Sequence, residues 1–452
     1  MNRFITTLKN IWSIEELRKR LLYTLGLLFV FRFGTHVLLP GVVPGALKAA
    51  SGGKSANDIL GLINTFTGGA FEKASILALG VMPYITASIV VQLLTFAVPY
   101  FQRLQQHEGE SGRQKLNRIM RFLAVGVTLV QGSGYLKYIQ TQGAVAPNIS
   151  PLLFWATGLI TLTAGTIFSM WLGERITERG LGNGTSFLIM SGIIDALPRA
   201  IVGEFNANSG LAFVLELVFW FATIAAVVLV VQGVRKIPLQ FAKRMVGRQA
   251  GDLPMAGNRD YLPIKFNAAG VMPIIFAQAL MFVPATLFQA TMKANEAPSA
   301  LSSMFTNISS VGYNVTFFLL VVIFTYVYTA LLVNPQQYSE YLKRQNAFIP
   351  GVKPGQSTSD YIDSVTTRIT FPGSLALGLL AILPGIVSLF VTSTEFTRFF
   401  GGTSILIMIG VILDTLQQIE SHLLLQKYDT LVQDGKIQGR GGIGVTVGET
   451  TL

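Results

Sequence analysis

The 452 residues include no cysteine, which excludes disulfides, thiolate catalysis and cysteine-ligated metals. Histidine is almost as scarce. His36, His107 and His422 fall in or near loops, with no metal-binding spacing. Charge is scarce too: Asp, Glu, Lys and Arg make up 13% of the chain, against roughly 25% in an average soluble protein. No nucleophile–base triad or paired-carboxylate arrangement stands out, so the sequence gives no ground for an enzyme. The opening stretch, with Arg3, Lys9, Arg18, Lys19 and Arg20, reads as a basic amphipathic segment and not as a cleavable signal peptide.

What replaces charge is apolar surface. Hydrophobic residues make up 51% of the chain and the mean hydropathy is +0.53. A soluble chain of this length would divide into about three domains. Long apolar runs overrule that expectation, since several reach the ~20 residues that cross ~30 Å of hydrocarbon. Stretches at 21–39, 74–98, 117–138, 151–173, 185–202, 211–233, 268–290, 313–334, 371–393 and 402–419 read as about ten membrane-spanning helices. The chain is therefore expected to be an all-α membrane protein. A shorter segment at 59–71, ending in Gly68 and Gly69, is too short to cross alone and reads as a re-entrant or plugging element.

The net charge of +11 could signal nucleic acid, anionic lipid or topology, and the placement of the charges decides. An even number of crossings puts both termini on one side. If that side is the cytoplasm, the inside segments are 1–20, 99–116, 174–183, 234–267, 335–370 and a tail at 420–452. Most of the 34 Lys and Arg fall there, as the positive-inside rule requires. Two of these segments are longer than topology needs. In 234–267, β-prone runs at 237–242 and 261–266 flank Lys243, Arg244, Arg248, Gly251 and Gly257, a pattern that predicts a protruding hairpin with a basic tip. In 335–370, turn residues and cations alternate up to Lys353. These are either solvated connectors or a docking surface for an acidic or nucleic-acid-rich partner.

The most informative pattern is a near-duplication. Gly80-Val81-Met82-Pro83-Tyr84-Ile85 in the second span returns as Gly270-Val271-Met272-Pro273-Ile274-Ile275 in the seventh. Five spans separate equivalent points, so the chain reads as two five-helix halves, 21–202 and 203–419, inverted with respect to each other. Glycine and proline inside matched helices predict deformable points where the halves meet. Chance is the alternative, since short Gly/Pro motifs are common in membrane helices. Equivalent placement favours the repeat. Val81 and Ile85, with Val271 and Ile275, lie one turn apart, so they either pack ordinarily or form a hydrophobic constriction that closes by excluding water. Arg32, Asp195 and Glu216 lie nearer span ends than span centres, where snorkelling accounts for them. An ion-coupled transporter would usually keep such groups at mid-bilayer.

Three motif matches fail on context. Gly53-Lys54-Ser55 lacks the upstream glycine of a phosphate-binding loop, because position 48 is lysine. The glycine string at 439–444 sits in the tail without a βαβ setting. Asn183-Gly184-Thr185 has the glycosylation pattern but lies at the inside edge of a span.

Several stretches, in order and covering nearly the whole chain, resemble the SecY family of protein-conducting channels. They are Phe66-Thr67-Gly68-Gly69-Ala70, Gly80 through Ile89, Gly173-Glu174-Arg175 with Gly182-Asn183-Gly184, Ala242-Lys243-Arg244, Tyr261-Leu262-Pro263-Ile264-Lys265, Gly351 through Gly355, and Gly401-Gly402-Thr403-Ser404. The resemblance implies an hourglass pore between the halves, closed by a ring of Val81, Ile85, Thr185, Ile189, Ile275 and Ile407, with Val271 left out. It implies a plug including Ile59, Ile63, Phe66, Gly68 and Gly69. It also implies a lateral gate between Thr86, Ile89, Val90 and Leu93 of the second span and Phe276, Ala279 and Val283 of the seventh. Lys243, Arg244, Arg248 and Lys353 would dock the SecA motor ATPase or the ribosome, through its RNA and proteins. Small membrane subunits of the SecE and SecG type, signal sequences and membrane lipid complete the implied partners, with no cofactor, in the cytoplasmic membrane with both termini inside. Two positions depart from the family pattern. Lys353 stands where arginine is usual and lacks its bidentate fork, and Thr185 stands where an aliphatic residue is common. The alternative from the residues alone is an inverted-repeat secondary transporter of a small solute.

Overall fold

The computed structural model describes residues 12, 14–47, 64–106, 108–207, 210–241, 259–291, 310–387 and 402–433. These residues form α1 (Glu15–Gly34), α2 (Met82–Ala97), α3 (Pro99–Gln106), α4 (Gly109–Thr141), α5 (Pro151–Arg179), α6 (Gly184–Ala207), α7 (Gly210–Gln232), β1 (Val234–Phe241), β2 (Arg259–Lys265), α8 (Met272–Thr291), α9 (Val311–Leu332), α10 (Pro335–Arg344), β3 (Ala347–Phe348), α11 (Gln356–Val387) and α12 (Gly402–Gln433). Among the described residues, seven helices are long and apolar enough to cross a membrane outright, and α2 with α3 would make an eighth. α1 and α8 occupy the remaining two expected stretches.

The outward faces show what solvent these helices meet. On α7, Leu211, Val214, Leu215, Val218, Phe221 and Leu229 are exposed, while Trp220, Thr223 and Val227 are buried. Apolar side chains outside and a few polar ones inside suit hydrocarbon. Threonine hydroxyls are satisfied within their own helices: Thr128 donates to the Ala124 carbonyl, Thr325 to Val321 and Thr366 to Ile362. Such back-bonding keeps a polar group in a membrane helix without requiring a second helix as partner.

The helices extend beyond the expected spans on the side that carries the strands. α4 starts at Gly109, α5 runs to Arg179, α11 starts at Gln356 and α12 continues to Gln433. Hydropathy marks only the lipid-facing part of a helix, so these charged turns have the sequence pattern of loops. On the other side, α6 continues to Ala207, past the expected end of the fifth span at 202.

The repeat takes a different local form from the expected one. Residues 74–81 are not helical, and α2 starts only at Met82. Ala74 (φ 49°) and Gly80 (φ 50°) both have left-handed backbone, which no helix can contain. Gly270 (φ 65°) does the same before α8. Pro83 lies in the first turn of α2 and Pro273 is the second residue of α8. There the missing N–H costs nothing and the fixed φ suits the helix. The prolines therefore start helices and do not interrupt them. The correspondence extends to packing. A methyl group at Gly165 of α5 would collide with the carbonyl of Ile76, and one at Gly373 of α11 with the carbonyl of Phe266. Each carbonyl stands six residues before its helix start, so the two halves support their irregular turns in the same way.

Connectivity fixes the inversion. α1 leads away from the strand side, and each later crossing reverses the direction. α2 thus runs toward that side, and α8, which follows the strands, runs away from it. α6 packs on α12 and α2 on α8, joining the halves along two seams. The expected hairpin is present as an antiparallel pair, with Ile237 opposite Leu262 and Gln240 opposite Arg259. β3 adds to its outer edge through Gln240–Phe348 and Phe241–Ala347. The two long loops are thus one small domain, with Ile237, Leu239, Ile264, Leu342, Ile349 and Ile362 as its core.

Substituting Gly165 with alanine should push Ile76 out of place and lower stability by about 1–3 kcal/mol, the usual cost of overpacking. A thermal melt of the purified protein in detergent checks this. Gly126→Ala, where nothing lies within 4 Å, should leave the melting temperature unchanged.

Candidate functional site

The starts of α2 and α8 approach the centre from opposite sides, and the first turn of each contributes an isoleucine. Ile85 and Ile275 line a cavity together with Ile189 of α6, Ile407 of α12, Met82, Gln278, Thr403 and Phe66. The cavity holds about 10 Å³, no more than one water would need. Its walls are almost wholly apolar, with Gln278 and Thr403 adding one amide and one hydroxyl. All four isoleucines are buried, the most exposed being Ile275 at 9%. Four helices from both halves therefore close on a point where water has neither room nor enough polar partners.

The six residues expected in the ring are placed unequally. Ile85, Ile189, Ile275 and Ile407 line the cavity. Val81 is buried in the same cluster without lining it. Thr185, one turn before Ile189, lies beside Gly173 at the contact between α5 and α6. Val271 packs against Gly410 of α12, away from the cavity.

Of the residues expected to form a plug, Ile59 and Ile63 lie outside the described residues. Phe66 is buried on the cavity wall. Gly68 and Gly69 form a left-handed turn, φ 64° and 81°, that only glycine adopts without strain. Gly192 of α6 sits directly against it, and a methyl there would lie 2.6 Å from the Phe66 carbonyl and 2.8 Å from the Gly68 nitrogen. A polar cluster surrounds the turn. Arg32 Nη1 donates to the Gly68 carbonyl at 2.8 Å, and Arg32 Nη2 pairs with Asp195. Arg199 Nη2 reaches the same carboxylate oxygen at 2.7 Å. Lys73 Nζ meets His36 Nε2 at 3.0 Å, and Asn64 donates to Glu72 at 2.9 Å. Snorkelling was the expected role of Arg32 and Asp195. Instead they bind each other and the backbone of the turn. The i,i+4 spacing of Asp195 and Arg199 was the available sequence signal.

The residues of the expected lateral gate are carried by α2 and α8, two helices that contact each other, and α8 also meets α4. Ile89, Phe276 and Ala279 are buried, whereas Val90 and Leu93 are exposed. Thr86 back-bonds to the Met82 carbonyl at 3.1 Å. Phe276 packs edge-on against Phe324 and Tyr328 of α9, holding it within its own half. The side chain of Val283 lies outside the described residues. Lys243, Arg244 and Arg248, which follow β1 in the sequence, are also outside them. Lys353 is exposed, and its carbonyl accepts from the Thr358 hydroxyl at 2.9 Å.

Replacing Ile275 and Ile407 together with serine should admit water and raise the resting ion permeability of reconstituted vesicles several-fold. Leucine at both positions, which conserves volume, should leave permeability unchanged.

Comparison with known proteins converges on one family. The SecY family model matches residues 75–416. The chain is 39% identical over 441 residues to the protein translocase subunit SecY of Aquifex aeolicus (strain VF5), covering 94% of this chain and 99% of that protein. It is 38% identical over 446 residues to the subunit of the same name from Mycobacterium tuberculosis (strain H37Rv), covering 95% and 99%. Among solved structures, a protein-conducting channel superposes with a TM-score of 0.64 at 17% identity, covering 89% of this chain and 92% of that one. A SecY structure whose plug domain stabilises the closed state of the translocation channel superposes at 0.61 and 17%. Sec61 in the canine ribosome–channel complex superposes at 0.59 and 15%, with the same coverage.

Proposed function

The chain belongs to the SecY family, a multi-pass membrane channel subunit and not an enzyme, and we propose that it passes unfolded polypeptide between its two halves and releases hydrophobic segments sideways along the α2–α8 seam. The observation that carries this reading is the closure of a single cavity by Ile85, Ile189, Ile275 and Ile407, one from each of four helices in both halves. Aliphatic side chains seal by fit and dewetting and have no binding preference for a particular cargo. They can therefore part around any side chain and close again behind it. Val81 flanks this ring from the same cluster, and Thr185 supports it through α5.

Sideways release needs only that both exits be offered at once. At a helix centre, each Leu, Ile, Phe or Val favours lipid by about 0.3–0.6 kcal/mol, while each Asp, Lys or Arg opposes it by about 2.5–3.5 kcal/mol. A segment rich in the former leaves between Thr86, Ile89, Val90 and Leu93 on one side and Ala279 and Val283 on the other. Phe276, held by α9, moves with its half. Phe66, Gly68 and Gly69 form the described part of a plug seated on the ring from the side opposite the strands.

The chain sits in the cytoplasmic membrane with both termini inside, a placement supported by the concentration of Lys and Arg on the strand side. The sheet domain, with Lys243, Arg244, Arg248 and Lys353, docks the SecA motor or the ribosome. Sec61, a structural neighbour, is seen in a ribosome–channel complex. SecE- and SecG-type subunits cover part of the lipid-facing surface, and the arriving signal sequence opens the seam. A small-solute transporter would hold its solute with several convergent polar groups, whereas the central cavity is lined by aliphatic and aromatic side chains with one amide and one hydroxyl, which favours a seal over a binding site.

Cysteines placed on facing turns of α2 and α8 give a clean test, because the chain has none of its own. Cross-linking them should abolish translocation of a secretory client into proteoliposomes, and reduction should restore it. Full translocation with the seam locked would overturn the lateral gate.

A further inference from the structure

The turn that rests on the constriction is held by charge as well as by fit. Arg32 of α1 spans two partners: one nitrogen donates to the Gly68 carbonyl at 2.8 Å, and another pairs with Asp195 of α6. Asp195 is in turn shared with Arg199, one helical turn further on. The carboxylate is 29% exposed and Arg32 26%, whereas Arg199 is 59% exposed. The inner pair is thus screened from solvent more than an ordinary surface ion pair, and hydrogen bonds to charged groups are stronger than neutral ones. Among the described residues, the cations outnumber the anions around the turn. Arg32, Arg199 and Lys73 face Asp195 and Glu72, and Glu72 is engaged by Asn64. Without Asp195, two guanidiniums would stand side by side with no anion between them.

We propose that Asp195 is the hub of a charge latch, Gly68–Arg32–Asp195–Arg199, that pins the plug turn over the closed constriction and so sets how strong a targeting segment must be to open the channel. The proposal rests on the plug reading above and adds the residues that fasten it. Asp195 acts through Arg32. The carboxylate holds the guanidinium at the height of the Gly68 carbonyl, and the tight fit of Gly68 against Gly192 makes that carbonyl the handle. A methyl at Gly68 would lie 2.6 Å from Arg32 Nη1 and 3.0 Å from Gly192 Cα. An opening force that lifts the turn must therefore break the Arg32 bond or drag Arg32 from Asp195.

The test uses the channel with its partner subunits in proteoliposomes, comparing Asp195→Asn, Arg32→Gln, Asp195→Glu and a deletion of residues 64–70. Two quantities are read: resting ion leak, and translocation of a client whose targeting segment has been weakened by one inserted charge. Asp195→Asn and Arg32→Gln are each expected to raise the leak several-fold and to pass the weakened client, which the unaltered channel rejects. A gain of transport is something that mere misfolding cannot produce. Asp195→Glu should restore both readouts. If the deletion leaves the leak unchanged, the plug reading itself fails. If the deletion raises the leak while both single substitutions leave leak and client selection unaltered, the plug stands and the latch is overturned. In the deletion background Asp195→Asn should add nothing, and a full additional effect there would also overturn the latch.

Discussion

A backbone amide or carbonyl at membrane depth must find its hydrogen bond within the protein, and that requirement shapes the centre of this molecule. Helices meet it automatically. The segment 67–81 does not, because it consists almost wholly of turns, with left-handed residues at Gly68, Gly69, Ala74 and Gly80. Its amides are satisfied one by one: Gly69 N donates to Asn64 O, Ser75 N to Ala70 O, Ile76 N to Val37 O and Gly80 N to Leu77 O. Arg32 satisfies the Gly68 carbonyl from outside the segment. Burial follows from the same requirement, and Ala70, Ser75 and Ala78 are at 0% exposure.

From that arrangement the rest follows. A helix preceded by buried turns can begin near the middle of the structure, and α2 and α8 both do so, from opposite sides. Their first turns then meet, which brings Ile85 and Ile275 to the same cavity. α6 and α12 close the other two sides with Ile189 and Ile407. The inverted repeat is thus the means of placing two helix starts at one point, and closure there is a by-product of how each half buries its irregular turns. The halves meet on two sides of this point, where α8 contacts α2 and α4 and where α6 contacts α12.

Much of this could be read from the chain, because hydropathy and the positive-inside pattern are local properties. The spans, the paired strands and the Gly80/Gly270 duplication were visible for that reason. The left-handed turns were not, since Ala74 and its apolar neighbours look like helix to any hydropathy window. Thr185 and Val81 show a second limit. Helical spacing puts both one turn from a cavity residue, but contacts with α5 and the local start of α2 turn them elsewhere. The pairing of Arg32 with Asp195 joins positions far apart in sequence, and a charge near a span end looks the same whether it snorkels or binds. The union of the two strand-side loops through β3 was hidden likewise, because two residues, Ala347 and Phe348, carry the connection.

The constriction between the halves is the point on which everything else turns, and photo-cross-linking of an arrested client probes it directly. A polypeptide carrying a photo-reactive residue midway, and halted by a folded domain at its C-terminus, is trapped in proteoliposomes and irradiated. If the client passes between the halves, its adducts map to the turns bearing Ile85, Ile189, Ile275 and Ile407, on four different helices. Adducts confined to lipid-facing residues such as Val214, Val218 and Phe221 of α7 would contradict a central passage.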